Sequence, residues 1–195
     1  MAHDEQVTAL RARLNTLGPV TDKFGNGYIP AYRELAARLG PAARVLEVGV
    51  HEGGSLRLWQ DLFPDSPVIA GADNNETATW PGGTVRIVAS QATDYLADIA
   101  AEVSPGGWDM IVDDASHDAA LTGGTFERLW PQVAPGGVYV VEDWEVGYRP
   151  EWLPLFGPGM LRLAESFLTM LGPDSDLAEA RYLYGMAILT KRKAS

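Results

Sequence analysis

An α/β fold, with a mostly parallel twisted sheet, helices on both faces and a C-terminal antiparallel hairpin, is predicted by three observations. Short apolar strand signals alternate with helical ones between residues 44 and 142, and parallel strands joined by crossovers are what such alternation requires. The first signal, Arg44-Val45-Leu46-Glu47-Val48-Gly49, opens into the glycine-bearing turn Val50-His51-Glu52-Gly53-Gly54-Ser55 and then a helix, an arrangement that suits nucleotide-type ligands. Two later signals both end in carboxylates, at Asp113-Asp114-Ala115-Ser116-His117 and at Glu142-Asp143.

The elements follow in order. Val7, Leu10, Leu14 and Leu17 recur at helical spacing among charges, so an amphipathic helix over 4–17 should end at Gly18-Pro19. The glycines and Asn of residues 20–27 mark a loop, and a second helix from Pro30 to Leu39 is stopped by Gly40-Pro41. Strands are expected at 44–49, 67–72, 84–88, 108–113 and 137–142, with helices at 54–62, 92–103 and 121–130. Leu161 to Leu171 reads as a helix. Arg181 to Lys191, rich in Tyr, Leu, Ile and Thr around Gly185, reads as the closing hairpin. Aromatic-rich turns within 144–158 follow the last carboxylates and suggest a substrate-facing lid.

With 195 residues, 46% of them hydrophobic, the chain suits a single domain over 1–195. In it, residues 1–40 form a helical cap and 41–195 a Rossmann-like core. A net charge of −11 with only 15 Lys and Arg argues against nucleic acid as partner. No cysteine is present, which excludes disulfides and thiolate zinc sites and is compatible with the cytoplasm. Neither a basic, apolar leader nor an apolar run long enough to span a bilayer is visible, so no membrane association is expected.

The turn after the first strand does not fit the G-x-G-x-x-G spacing of pyrophosphate binders, and by itself it also fits a plain tight strand-to-helix turn. Asp73, ending the next strand signal about 20 residues beyond the glycines, sits where an acidic residue accepts from ribose hydroxyls. An Asp that caps its own loop is the alternative. Asp114, Glu142 and Asp143 fall at the ends of two consecutive strands, expected to be neighbours about 4.8 Å apart. Three converging anions call for a hard divalent cation, Mg²⁺ before zinc, unless they are simply solvated loop residues. His117, three residues beyond Asp114, has the imidazole that suits proton removal near neutrality, although a lone loop histidine also serves as a cap.

Taken together these segments resemble the class I S-adenosylmethionine-dependent methyltransferases, and among them the Mg²⁺-dependent sugar O-methyltransferases of the macrocin and mycinamicin group, whose relatives are often labelled cephalosporin hydroxylases. The resemblance rests on Thr21-Asp22-Lys23 with Tyr28 and Tyr32, on Glu47-Val48-Gly49-Val50 with Gly53 to Trp59, on Asp113 to His117, and on Pro135-Gly136-Gly137 leading to Glu142-Asp143. It implies that Asp114, Glu142 and Asp143 bind Mg²⁺ and that His117 is the general base. It further implies that Glu47, Gly49, Gly53, Ser55, Asp73, Ser90, Gln91 and Asp114 hold S-adenosylmethionine. The acceptor it implies is a small hydroxylated natural product, a sugar or vicinal diol, with a catechol-type phenol as an alternative. A non-catalytic cofactor-binding protein and a metal-dependent hydrolase are further readings, and a homo-oligomer is left open. Ala89-Ser90-Gln91 stands where the family usually has Gly-Asp-Gln, and Ala115 where a Gly is usual.

Overall fold

The computed structural model describes residues 2–18, 21–76 and 78–194. Helix α1 (Ala2–Asn15) inserts Leu10 and Leu14 into the core. It stops two residues before the expected end, so Leu17 is left 63% exposed rather than joining the apolar stripe. A 3-10 turn at Asp22–Phe24 is capped by the Thr21 hydroxyl, which accepts from the Lys23 N–H. Helix α2 (Ile29–Leu39) starts with Pro30 in its first turn, where the missing N–H costs nothing.

The central elements are β1 (Val45–Val48), α3 (Gly54–Leu62), β2 (Ile69–Asp73), β3 (Val85–Val88), α4 (Asp94–Val103), β4 (Trp108–Asp113), α5 (Ala119–Leu129) and β5 (Val133–Glu142). After β5 come a short helix α6 (Leu153–Phe156), α7 (Gly159–Thr169) and the hairpin β6 (Leu177–Leu183) and β7 (Met186–Lys191). Among the described residues the strands form one sheet in the order β3-β2-β1-β4-β5-β7-β6. The first five pair in parallel, and β7 pairs antiparallel with both β5 and β6. No helix among these residues is long and apolar enough to cross a membrane.

Differences from the expected boundaries have local causes. Strand β5 begins at Val133 rather than 137 because Val133 pairs with Trp108 before the ladder slips and resumes at Met110–Val138. Helix α5 begins two residues early because the Asp118 side chain accepts from the N–H groups of Ala120 and Leu121, fixing its first turn. The hairpin starts at Leu177, whose side chain is buried, although the preceding Gly-Pro-Asp-Ser run reads as loop.

Each face of the sheet is covered. Tyr32, Leu56, Trp59 and Met110 belong to the core on the α1–α2–α3 side, and Leu96, Phe126, Tyr139 and Phe167 to the core on the α4–α5–α7 side. Strand β1 is buried throughout, as expected of a parallel strand covered on both faces. Strand order reverses between β1 and β4, and a crevice opens beyond the carboxyl ends of these strands.

Candidate active site

Two adjoining cavities occupy that crevice, of about 420 and 300 Å³, and both are lined by Gly49, His51, Asp114 and Ala115. The crevice is narrow at its floor because the loops after β1 and β4 touch. Asp114 N–H donates to the Val48 carbonyl at 2.9 Å, and a Cβ on Gly49 would overlap the Asp114 backbone. Gly49 also has φ +94°, a conformation that favours glycine.

Asp73 plays the structural part considered for it and still lines the smaller cavity. One carboxylate oxygen accepts from Val50 N–H at 2.8 Å and His51 N–H at 3.1 Å, the other from Asn75 N–H at 2.8 Å. An ionised carboxylate has about four acceptor positions, so these bonds orient Asp73 without exhausting it. Gln91 lines the same cavity with its amide tied to the Thr125 hydroxyl at 3.2 Å. Ser90 lines neither cavity; its hydroxyl accepts from Ala92 N–H just ahead of α4. Ser55 lines the larger cavity and Gly53 neither. Glu47 lies below the floor, fully buried, where it accepts from Ser55 Oγ at 2.5 Å and Trp59 Nε1 at 3.1 Å.

The carboxylates at the ends of β4 and β5 are organised by the N-terminal segment, through side chains that nothing local in the sequence marks as their partners. Lys23, with no solvent exposure, places Nζ 2.6 Å from Asp114, 3.0 Å from Glu142 and 3.3 Å from Glu47. Burial pushes the Lys23 ammonium towards neutrality, but the three carboxylates outweigh it and hold its pKa well above the usual lysine value. Tyr32 donates its hydroxyl to Glu142, and Tyr28 donates to Asp143 Oδ1 at 2.5 Å. Anions still outnumber the cation. Burial, reinforced by Asp114, pushes the Glu142 carboxyl well up, and burial likewise raises Asp143.

Asp114, His117 and Asp143 each offer a ligand atom to one spot, these atoms lying within 4.8 Å of one another. His117 Nε2 is 3.7 Å from Asp143 Oδ2. Glu142 is not in that group, being turned into the interior toward Lys23 and Tyr32. Two carboxylates facing an open polar cavity fit a hard divalent ion that keeps several waters, as Mg²⁺ does. The described non-glycine residues with positive φ are His51, His117 and Asp143, at 48°, 52° and 56°. All three line the larger cavity. Left-handed backbone at non-glycine residues is uncommon, and it gathers at functional sites.

No family model matches the chain. It is 34% identical over 142 residues to the mycinamicin VI 2''-O-methyltransferase of Micromonospora griseorubida, covering 67% of this chain and 35% of that protein. It is 33% identical over 141 residues to the 8-demethyl-8-alpha-L-rhamnosyl tetracenomycin-C 2'-O-methyltransferase of Streptomyces olivaceus, covering 67% and 36%. Among solved structures, MycE, a methyltransferase from the mycinamycin biosynthetic pathway in complex with Mg and SAH, superposes with a TM-score of 0.73 at 25% identity, over 96% of this chain and 53% of that one. The chain thus spans about a third of these relatives' length and about half of that structure.

Proposed function

The chain belongs to the class I S-adenosylmethionine-dependent methyltransferases, in the group of the mycinamicin and rhamnosyl-tetracenomycin O-methyltransferases, and from that premise we propose that it methylates a hydroxyl of a small glycosylated natural product, with Mg²⁺ as second cofactor. In this reading all 195 residues act as one methyltransferase domain, residues 1–40 capping the Rossmann-like core of 41–195. The observation that carries it is the convergence of Asp114, Asp143 and His117 on a cavity that continues, past Gly49 and Asp114, into the cavity lined by Asp73.

When bound, S-adenosylmethionine supplies an electrophilic methyl group and Mg²⁺ acidifies a coordinated hydroxyl. Asp73, with the N–H groups it fixes in the 50–51 turn, holds the ribose end, while Gly49 keeps the crevice floor low. Asp114 and Asp143 hold the cation, and Tyr28 keeps Asp143 turned towards the cavity. Glu142 stands behind them, compensated by Lys23. His117, beside Asp143 on the loop that leads into α5, takes the acceptor proton at Nε2. The remaining work is alignment of acceptor oxygen and methyl carbon.

The test measures methyl transfer to glycosylated acceptors by mass shift, alongside S-adenosylhomocysteine binding by calorimetry. Chelation by EDTA should abolish transfer and weaken, without abolishing, cofactor binding. His117→Ala should lower kcat by roughly 10²–10⁴ at neutral pH and remove an ionisation from the rate profile. Full turnover after exhaustive chelation, or an unchanged pH profile in the variant, would refute the respective role.

A further inference from the structure

Far from the crevice, the sheet ends in β6. The Gly185 carbonyl accepts from Asp143 N–H just past β5, so the backbone groups of Ala187 and Leu189, two and four residues on, also point to β5, opposite Val141 and Tyr139. Those of Met186, Ile188 and Thr190 point the other way and meet Leu183, Arg181 and Glu179 on β6. The backbone N–H and C=O groups of Ala180 and Tyr182 therefore face out of the sheet, and nothing among the described residues bonds to them. Ala178 is the extra residue of a bulge and is exposed. No proline interrupts the strand, and such an edge is a template for a further strand. Its sequence, Leu177-Ala178-Glu179-Ala180-Arg181-Tyr182-Leu183, has leucine at each end and an acid and a base on either side of Ala180. Both charges lie on the α2 face, where Arg181 donates to Glu34 at 2.6 and 3.0 Å and Glu179 accepts from the Thr190 hydroxyl at 3.3 Å.

We infer that this edge binds a second copy of the chain, β6 pairing antiparallel with the partner's β6 about a two-fold axis at Ala180. Charge complementarity selects both the occupant and the register. With the axis at Ala180, that residue exchanges two backbone bonds with its own copy, and Glu179 on each chain stands opposite the partner's Arg181. Opposite charges across a strand pair stabilise it and like charges oppose it. Moving the axis one residue forward sets Arg181 against the partner's Arg181, and one residue back sets Glu179 against the partner's Glu179. An axis between residues would put outward backbone groups against inward ones. The opposite edge of the sheet, β3, carries Arg86 without an acid and lacks this self-complementarity. A pairing of one patch with itself closes at two copies. Because the two β6 strands run antiparallel, every strand of the second copy is reversed relative to the first, and the two crevices open at opposite ends of the joined sheet. Neither copy adds a residue to the other's site, so the inference stands apart from the methyl-transfer chemistry.

The test measures the mass of the full chain by sedimentation equilibrium from micromolar concentrations upward, alongside thermal unfolding. The wild type should be a reversible dimer that associates no further. Arg181→Glu and Glu179→Arg should each raise the dimer dissociation constant tenfold or more, since each sets like charges opposite one another. An equimolar mixture of the two variants should dimerise again, because every facing pair is then opposite in sign, and the chain carrying both changes should do so by itself. Ala180→Pro removes an outward N–H that takes no part in the pairing with β7, and it should leave a monomer. Ala180→Cys, in a chain without cysteine, should give a disulfide-linked dimer on oxidation. Cooperative unfolding of each variant shows that its fold persists, and the charge variants decide the matter if the proline does not fold. A wild type that stays monomeric leaves the edge to some other partner and overturns the inference. Association beyond the dimer, as head-to-tail pairing of β6 with β3 would give, or a dimer indifferent to both charge variants, would overturn it as well.

Discussion

An ammonium group closed off from water persists only where anions hold it, and Lys23 meets Glu47, Asp114 and Glu142 within 3.3 Å. Removing it strands those carboxylates, a change worth about 3–5 kcal/mol for a buried pair broken from one side. Lys23→Met should therefore lower the melting temperature by roughly 6–20 °C at pH 7. The deficit should shrink near pH 5, where the stranded carboxylates can protonate, and adding Glu142→Gln should recover much of it. A melting temperature within 2 °C of wild type would show that the cluster is not held by charge. Asp113 offers a separate test, since burial, against the opposing bond from Tyr139, pushes its carboxyl up to about 7. A pKa raised on folding gives stability that is whole below the unfolded value near 4 and is lost as pH climbs to about 7, by at most about 1.4 kcal/mol per pH unit. In EDTA, wild-type stability should fall across that window, and Asp113→Asn should flatten the fall. An equal slope in both proteins would place the titration elsewhere. Asp114 and Asp143 were legible in the sequence because each directly follows a strand, and His117 because it lies three residues beyond Asp114. Lys23 was not read as a partner, because nothing local to Thr21-Asp22-Lys23 shows that a residue 91 positions from Asp114 would be folded beneath it.

At the scale of elements, the stretch from Thr21 to Tyr32 acts as a bracket: one 3-10 turn and the first turn of α2 deliver Lys23, Tyr28 and Tyr32 to carboxylates on β1, β5 and the β4 loop. The bracket depends on the hairpin behind it. Gly185, at φ +74° in the β6–β7 turn, lies directly against the Tyr28 hydroxyl, and any Cβ there would overlap the phenol ring. Its carbonyl also accepts from Asp143 N–H at 2.6 Å. Gly185→Ala should cost on the order of 1–3 kcal/mol through strained φ and crowding. It should also weaken divalent-ion affinity, because Tyr28 can no longer hold Asp143, while S-adenosylhomocysteine affinity stays within a few-fold. Calorimetric titration with Mg²⁺ in the two proteins decides, and equal ion affinities would detach the hairpin from the site. The regular elements were legible because their apolar periods of 2 and 3.6 are local properties of the chain. The early start of β5 was not, since Val133 is paired through tertiary contact across a Pro-Gly-Gly run that locally signals a turn.

At the scale of the whole molecule, the reversal of strand order between β1 and β4 puts two binding cavities on opposite sides of one pair of loops. Gly49, Asp114 and Ala115 face both, and they have no room to move separately while Gly49 lies against the Asp114 backbone. Occupancy of either cavity should then fix the loops for the other. A ligand that binds only the folded state at a hundred times its Kd adds about 2.7 kcal/mol of stability, which for a chain of this size raises the melting temperature by roughly 5–11 °C. S-adenosylhomocysteine alone should produce a shift of this order, and Mg²⁺ with it a further one larger than Mg²⁺ gives by itself. Coupling between binding sites is reciprocal, so the factor by which Mg²⁺ tightens S-adenosylhomocysteine must equal the factor by which S-adenosylhomocysteine tightens Mg²⁺, expected at about fivefold or more. Four calorimetric titrations close that cycle. Affinities that do not respond to the other ligand would mean that the shared loops are already rigid in the free protein, and that the crevice is two independent sites on one sheet.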